Sequence, residues 1–156
     1  MPSPPKSLTV LFVLTLGFVA AASFAGPLPD PDALATDSPQ RALALYLAAW
    51  RAEDWPTLAG LCQLSWRARQ EAPEVFLREQ LAGRRLLTAE ITGATQGCGS
   101  LFPSFHCATV RVALSYQTPD GRVHAGLIHA RLFREEAPGQ LGERGSWGVN
   151  PLSALP

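Results

Sequence analysis

The sequence predicts an α+β domain in which three N-terminal helices pack in the concave face of a bent four-stranded antiparallel sheet. Three observations lead there. Apolar residues recur at helical spacing as far as Leu81, they alternate from Arg84 onward, and Thr118-Pro119-Asp120-Gly121 folds the longest alternating stretch back on itself. A length of 156 residues suits one domain, and an apolar fraction of 47% with 17% charged residues argues against disorder. Lys and Arg number 13, as do Asp and Glu, so the charge surplus that phosphate contacts require is missing and a nucleic-acid partner is not expected.

Residues 1–25 read as an export signal. Lys6 precedes an uncharged run from Leu8 to Ala25, which ends in the small residues Ala20-Ala21-Ala22-Ser23-Phe24-Ala25 that suit cleavage after Ala25. The alternative is an uncleaved anchor formed by residues 8–25, since about eighteen apolar residues is the lower limit for spanning a bilayer. Both readings place the remainder outside the cytoplasm, secreted or periplasmic. No Cys stands at the cut, so a lipid-anchored form is not expected. Residues 26–37 (GPLPDPDALATD) contain three prolines and no apolar period, and read as a linker.

Ser38 followed by Pro39 is a helix start: the hydroxyl caps, and the missing proline N–H costs nothing at the first position. Leu43, Tyr46, Leu47 and Trp50 then lie on one helical face. Glu53-Asp54 interrupts the pattern, and Asp54 can cap a second helix with Pro56 in its first turn and Leu58, Leu61, Cys62 and Ser65 along its stripe. Pro73 opens a third helix carrying Phe76, Leu77 and Leu81, for which Gly83 can supply a left-handed stop.

Beyond Arg84 the hairpin register follows from its turn. A three-residue loop pairs Thr118 with Arg122, so Tyr116 faces His124, Leu114 faces Gly126, Val112 faces Ile128, Val110 faces Ala130 and Ala108 faces Leu132. That register makes one face almost wholly apolar, whereas a two-residue loop would bring His129 and Arg131 onto it. The opposite face, with Val123, Leu127 and Phe133 among Thr109, Arg111, His129 and Arg131, is mixed and is a candidate homodimer surface. Ser146 to Asn150 form the last strand, with Trp147 and Val149 on one face.

In an exported chain Cys98 and Cys107 read as a disulfide across the first two strands. Pairing them aligns Ile91 with Leu114 and Ala89 with Tyr116, again apolar with apolar. Cys62 is left on a helical stripe as a small buried hydrophobe with no partner base beside it.

Catalytic and metal motifs are missing from the sequence. His124 and His129 alternate to opposite faces, His129 is set against Arg111, and there is no HExxH, paired CxxC, phosphate loop or GxSxG, so neither a metal nor another cofactor is expected. Tyr46, Trp50, Trp55, Trp66, Phe76 and Tyr116 are candidates to line an apolar ligand pocket between helices and sheet, with core packing as the alternative use of the same stripe. His124 beside Tyr116 is the nearest approach to an acid–base pair, while the register sends Glu90 to the other face.

The Ser38-Pro39 start, the stripe through Tyr46 to Trp50, Arg51-Ala52-Glu53-Asp54-Trp55 at the next turn, the hairpin from Phe105 to Glu135 and the closing Trp147-Gly148-Val149 resemble the NTF2-like (cystatin-like α+β) superfamily over residues 38–152, leaving 153–156 as a tail. The resemblance implies a cone-shaped pocket, and in members similar to polyketide cyclases a His/Asp pair within it, for which no inward-facing Asp is present here. The expectation is therefore an exported, non-catalytic domain that binds a small apolar ligand or an envelope protein. The alternatives are a cyclase- or isomerase-type enzyme using His124 and Tyr116, and a structural homodimer. A filled interior would move function to the outer surface.

Overall fold

The computed structural model describes residues 26–97 and 105–156. The expected export signal and Cys98 lie outside them. Among the described residues no helix is long and apolar enough to cross a membrane.

Helix α1 (Pro39–Arg51) starts where Ser38 caps it, the Ser38 hydroxyl accepting the Arg41 N–H at 3.2 Å, and it buries Leu43, Tyr46, Leu47 and Trp50. It ends in a Schellman turn: the Glu53 N–H donates to the Trp50 carbonyl and the Asp54 N–H to Ala49. That geometry forces Glu53 to φ 54°, where glycine is the usual occupant. Asp54 then caps α2 (Trp55–Gly60) through the Thr57 N–H.

The second predicted helix does not continue through Ser65. After Gly60 the chain straightens, and Cys62 forms a parallel bridge with Val149, with Gln63 N–H donating to the Val149 carbonyl at 2.8 Å and Val149 N–H to Leu61 at 2.9 Å. A single-turn helix, α3 (Leu64–Arg67), follows, then α4 (Pro73–Leu81). Gly83 is not left-handed; α4 closes with the Arg84 N–H on the Leu81 carbonyl.

Strands β1 (Arg85–Gln96), β2 (Cys107–Gln117), β3 (Val123–Ala137), β4 (Gln140–Leu141) and β5 (Ser146–Val149) form one antiparallel sheet in the order β1-β2-β3-β4, with β5 on the edge of β3 opposite β2 and β4 on the other edge, past the start of β2. A last helical turn, α5 (Pro151–Ala154), rests on β3. The expected architecture is thus corrected in both layers. The sheet has five strands rather than four, and the helices are not three rods in a cone: α1 is laid across the sheet, α2 and α4 pack chiefly on each other, and α3 and α5 are single turns against β3. The physical reason is Val149, whose backbone groups draw residues 61–63 out of the helix that their side-chain spacing favours.

The hairpin has the register that its turn dictates, from Gln117 opposite Val123 to Ala108 opposite Leu132, with Gly121 at φ 83° and Val112 and Ile128 both buried. The first pair of strands differs. Ile91 lies opposite Val112 and Ala89 opposite Leu114, because Gln96 already stands opposite Ala108, one residue off the expected register, and β1 carries an irregularity between Ile91 and Gly93 that adds the second; another follows between Leu86 and Thr88. The displacement from the expected register is two residues, so the inward face is preserved. No disulfide joins two described residues: Cys107 is fully buried, Cys62 is a free thiol, and the expected pair falls on Cys98 outside them.

Residues 26–37 lie against the domain. Leu28 packs on the core, Ala89 N–H donates to the Pro27 carbonyl, and Arg41 pairs with Asp32 at 3.0 Å beside a short 3-10 turn, Pro31–Ala33. Gly26 abuts β1 so closely that a Cβ there would stand 2.5 Å from the Thr88 methyl.

Candidate binding cleft

Of the aromatic residues singled out in the sequence, Tyr46, Trp50, Trp55 and Trp66 are buried, and Phe76 and Tyr116 are half-buried against the core. Tyr46 and Trp50 are fully buried, Trp55 and Trp66 nearly so, and Trp66 meets Phe76 edge-on with ring centroids 5.6 Å apart. Trp50 Nε1 donates to the Arg84 carbonyl at 2.9 Å, which satisfies the indole within the core. Tyr46 has its hydroxyl buried with no partner; burial first, and then the neighbouring Cys62, pushes its pKa well above the ordinary value. Burial likewise pushes the Cys62 thiol up to about 12, so it is protonated at neutral pH and a poor nucleophile. Its Sγ lies 3.4 Å from the Leu58 carbonyl.

Tyr116 and His124 come together at the hairpin end, stacked at 5.2 Å and 16° between planes, with the Arg84 guanidinium 5.9 Å from the centre of the Tyr116 ring. His124 is exposed, and its Nε2 is 3.5 Å from the Thr118 hydroxyl. The stacking leaves the pair face to face rather than converging on a third atom. Glu90 is exposed on the opposite sheet face. Among the described residues no group of three or more His, Cys, Asp or Glu could hold a metal ion.

A cleft of about 570 Å³ opens elsewhere, where the start of α1, the far end of β1, the start of β2 and β5 converge. Ala94, Ala108 and Pro39 give it apolar walls, and Phe105, 79% exposed, stands at its mouth. Arg134 crosses it, held by Asp37 at 2.6 Å and by the Gly145 carbonyl at 3.0 Å, so its charge is already matched. Trp147 lines this cleft and a smaller one of about 230 Å³ beside it, and its indole N–H is buried with no acceptor among the described residues. The arrangement offers stacking surface and one unused donor, and no nucleophile with a base.

Behind the cleft sits a buried carboxylate that sequence patterning did not single out. Glu135 accepts from the Ser65 N–H at 2.9 Å, the Gly139 N–H at 3.2 Å and Gln63 Nε2 at 3.2 Å. Burial opposes its ionisation, but these donors together outweigh burial and hold its pKa below the ordinary value. It ties α3 to the β3–β4 turn. Neither Glu135 nor the cleft residues belong to a local motif: positions 37–40, 94–96, 105–108, 134 and 147 meet only after folding.

No family model matches the chain, and no curated protein matches it. Two solved structures are similar. One is a SEC-C motif containing protein from Rhodopseudomonas palustris, with TM-score 0.56 and 13% identity over 76% of this chain and 80% of that one. The other is a SEC-C motif containing protein from Psychrobacter arcticus, with TM-score 0.51 and 15% identity over 75% of this chain. The match spans 60% of the Psychrobacter chain. At such identities the likeness is one of fold alone. It corrects the expected NTF2-like, cystatin-like assignment, for which nothing in these comparisons speaks. Helices followed by an antiparallel sheet is an element order open to more than one fold, and order was all that the resemblance had to work with.

Proposed function

We propose that this protein is an exported, non-catalytic binding domain whose cleft between α1 and β5 takes a small apolar molecule carrying a hydrogen-bond acceptor. The observation that carries this reading is Phe105 at 79% exposure beside Trp147 in a cleft of about 570 Å³, the size range of small-ligand sites. An apolar body would lie between the two rings, and its acceptor would meet the Trp147 indole N–H, which has no partner among the described residues. The Arg134–Asp37 pair supplies a rigid polar wall rather than a free charge, so a neutral or singly charged ligand fits better than a phosphate. Export is supported by the uncharged run from Leu8 and the small residues up to Ala25.

The probe is anilinonaphthalene sulfonate, which has an apolar ring system and a sulfonate acceptor. Saturable binding at one site, weakened at least fivefold by Trp147→Ala and by Phe105→Ala, is the expected result. Binding that does not saturate, or that neither substitution weakens, would remove the cleft from consideration. N-terminal sequencing of the protein recovered from the cell envelope is expected to begin at Gly26.

A further inference from the structure

One face of the sheet is spent on the core, where Val110, Val112, Leu114 and Ile128 are buried. The other face is open from the hairpin turn as far as Thr109, and its charges are of nearly one sign. The strand registers put Arg111 opposite His129, Thr109 opposite Arg131 and Arg85 opposite Gln117 on that face. Arg85, Arg111, His129 and Arg131 are all exposed, and Glu90 is the one acid among them. Among the described residues no carboxylate pairs with these three arginines, whereas Arg41, Arg122, Arg134 and Arg144 each have one. Arg111 is laid across β1. A Cβ at Gly93 would stand 2.5 Å from its Nη2, so the glycine leaves room for the guanidinium to lie along the sheet. Leu127 and Val123, 55% and 60% exposed, share this face with the cations.

The chain also enters the domain here. Gly26 abuts the Thr88 side chain, whose hydroxyl meets that of Ser115 at 2.6 Å on the outer face. Pro27 borders the same shallow depression as Ala113, Ser115 and Ala125. Gly26 directly follows the uncharged run from Leu8 to Ala25. If that run is retained in a bilayer, it joins the domain beside this face with no spacer. If it is cut after Ala25, it leaves an ammonium group at Gly26, one more cation in the same place.

We propose that the outer sheet face rests on an anionic bilayer surface, its arginines meeting lipid phosphates and Leu127 reaching between the headgroups. The proposal rests on the export reading of residues 1–25. Guanidinium groups match phosphate oxygens in planar, forked geometry, and apolar side chains beside them add contact with the acyl boundary. A second copy of this face would set three guanidinium groups and one carboxylate against the same set, which leaves most of the charge opposed. An acidic protein would match the charge as well as lipid does, but only a bilayer accounts for an apolar run that ends at this face.

A nitrobenzoxadiazole probe on Leu127→Cys, in protein purified from expressing cells with whatever amino terminus it carries, tests the contact. The unsubstituted chain gives the labelling background. With vesicles of phosphatidylcholine holding about 30% phosphatidylglycerol, emission is expected to rise about twofold or more, and to fall back in about 0.5 M salt. The same probe on Val75→Cys, 48% exposed on α4, is expected to stay unchanged. Arg111→Glu with Arg131→Glu is expected to abolish the Leu127 response. Should that pair not fold, Arg111→Gln alone is expected to raise the lipid concentration needed by about fivefold. No response at Leu127, an equal one with phosphatidylcholine alone, or one that these arginine substitutions leave intact would overturn the proposal. So would a response to soluble polyglutamate without one to the vesicles, which would give the face to an acidic protein. Export is decided separately by the amino-terminal sequence of protein from the envelope, so either reading can fail while the other stands.

Discussion

Glu53 occupies a backbone conformation that a side chain disfavours, at φ 54°, because the Schellman turn between α1 and α2 demands it. Left-handed geometry costs an L-residue roughly 1–2 kcal/mol, of which the extra freedom of glycine in the unfolded chain returns a part. Glu53→Gly is therefore expected to stabilise the fold by about 0.5–1 kcal/mol, read as a raised urea midpoint. Glu135 is the opposite case, a side chain on which neighbours depend. Glu135→Ala strands the Ser65 and Gly139 N–H groups, and a loss of about 1–3 kcal/mol in the same titration is expected. Because its folded pKa lies below the ordinary value of 4.5, its contribution is complete above that pH and is lost as pH falls through the lower folded value. Acid titrations of the parent and of Glu135→Gln should differ below about pH 4.5 and run parallel above it. Residue-level chemistry was only partly legible in the sequence. Ser38 and Asp54 were readable as caps because a cap acts within three residues, whereas two of the three donors to Glu135, Gln63 and Ser65, come from a segment about seventy residues away.

At the scale of elements, the hairpin was legible because two independent signals agreed. Pro119-Asp120-Gly121 selects a three-residue turn, and only that turn gathers Val112, Leu114 and Ile128 on one face. Nothing comparable governs β1, where Thr92 carries no mark of being an extra residue and the pairing is already one residue off at Gln96, and so its register with β2 was displaced by two. The break after Gly60 was hidden for a related reason. Leu61 and Cys62 keep helical spacing, and the competing partner is a backbone far along the chain. That contact depends on Gly148, where a Cβ would stand 2.7 Å from the Gln63 Cα. Gly148→Ala must push two backbones apart, at an expected cost of about 1–3 kcal/mol, and the thermal midpoint should fall accordingly.

For the molecule as a whole, a stripe of aromatics at helical spacing says nothing of whether they enclose a space. Tyr46, Trp50, Trp55 and Trp66 pack in the core, and the cleft of about 570 Å³ lies at the other end of α1, between segments that share no motif. Ligand occupancy is thus expected to act on the end of the sheet and not on the core. Saturating anilinonaphthalene sulfonate should slow amide exchange at the start of α1 and in β5 while leaving the central residues of β2 unchanged, and hydrogen exchange read by mass spectrometry checks this.

The backbone bonds between Leu61–Gln63 and Val149 join the first third of the domain to its last strand. A polypeptide entering a new compartment amino end first would hold its helices without their final partner until Val149 had passed through. Completion of the native state must then follow arrival of the carboxyl end, and any chain cut short of Ser146 should stay protease-sensitive however long it waits.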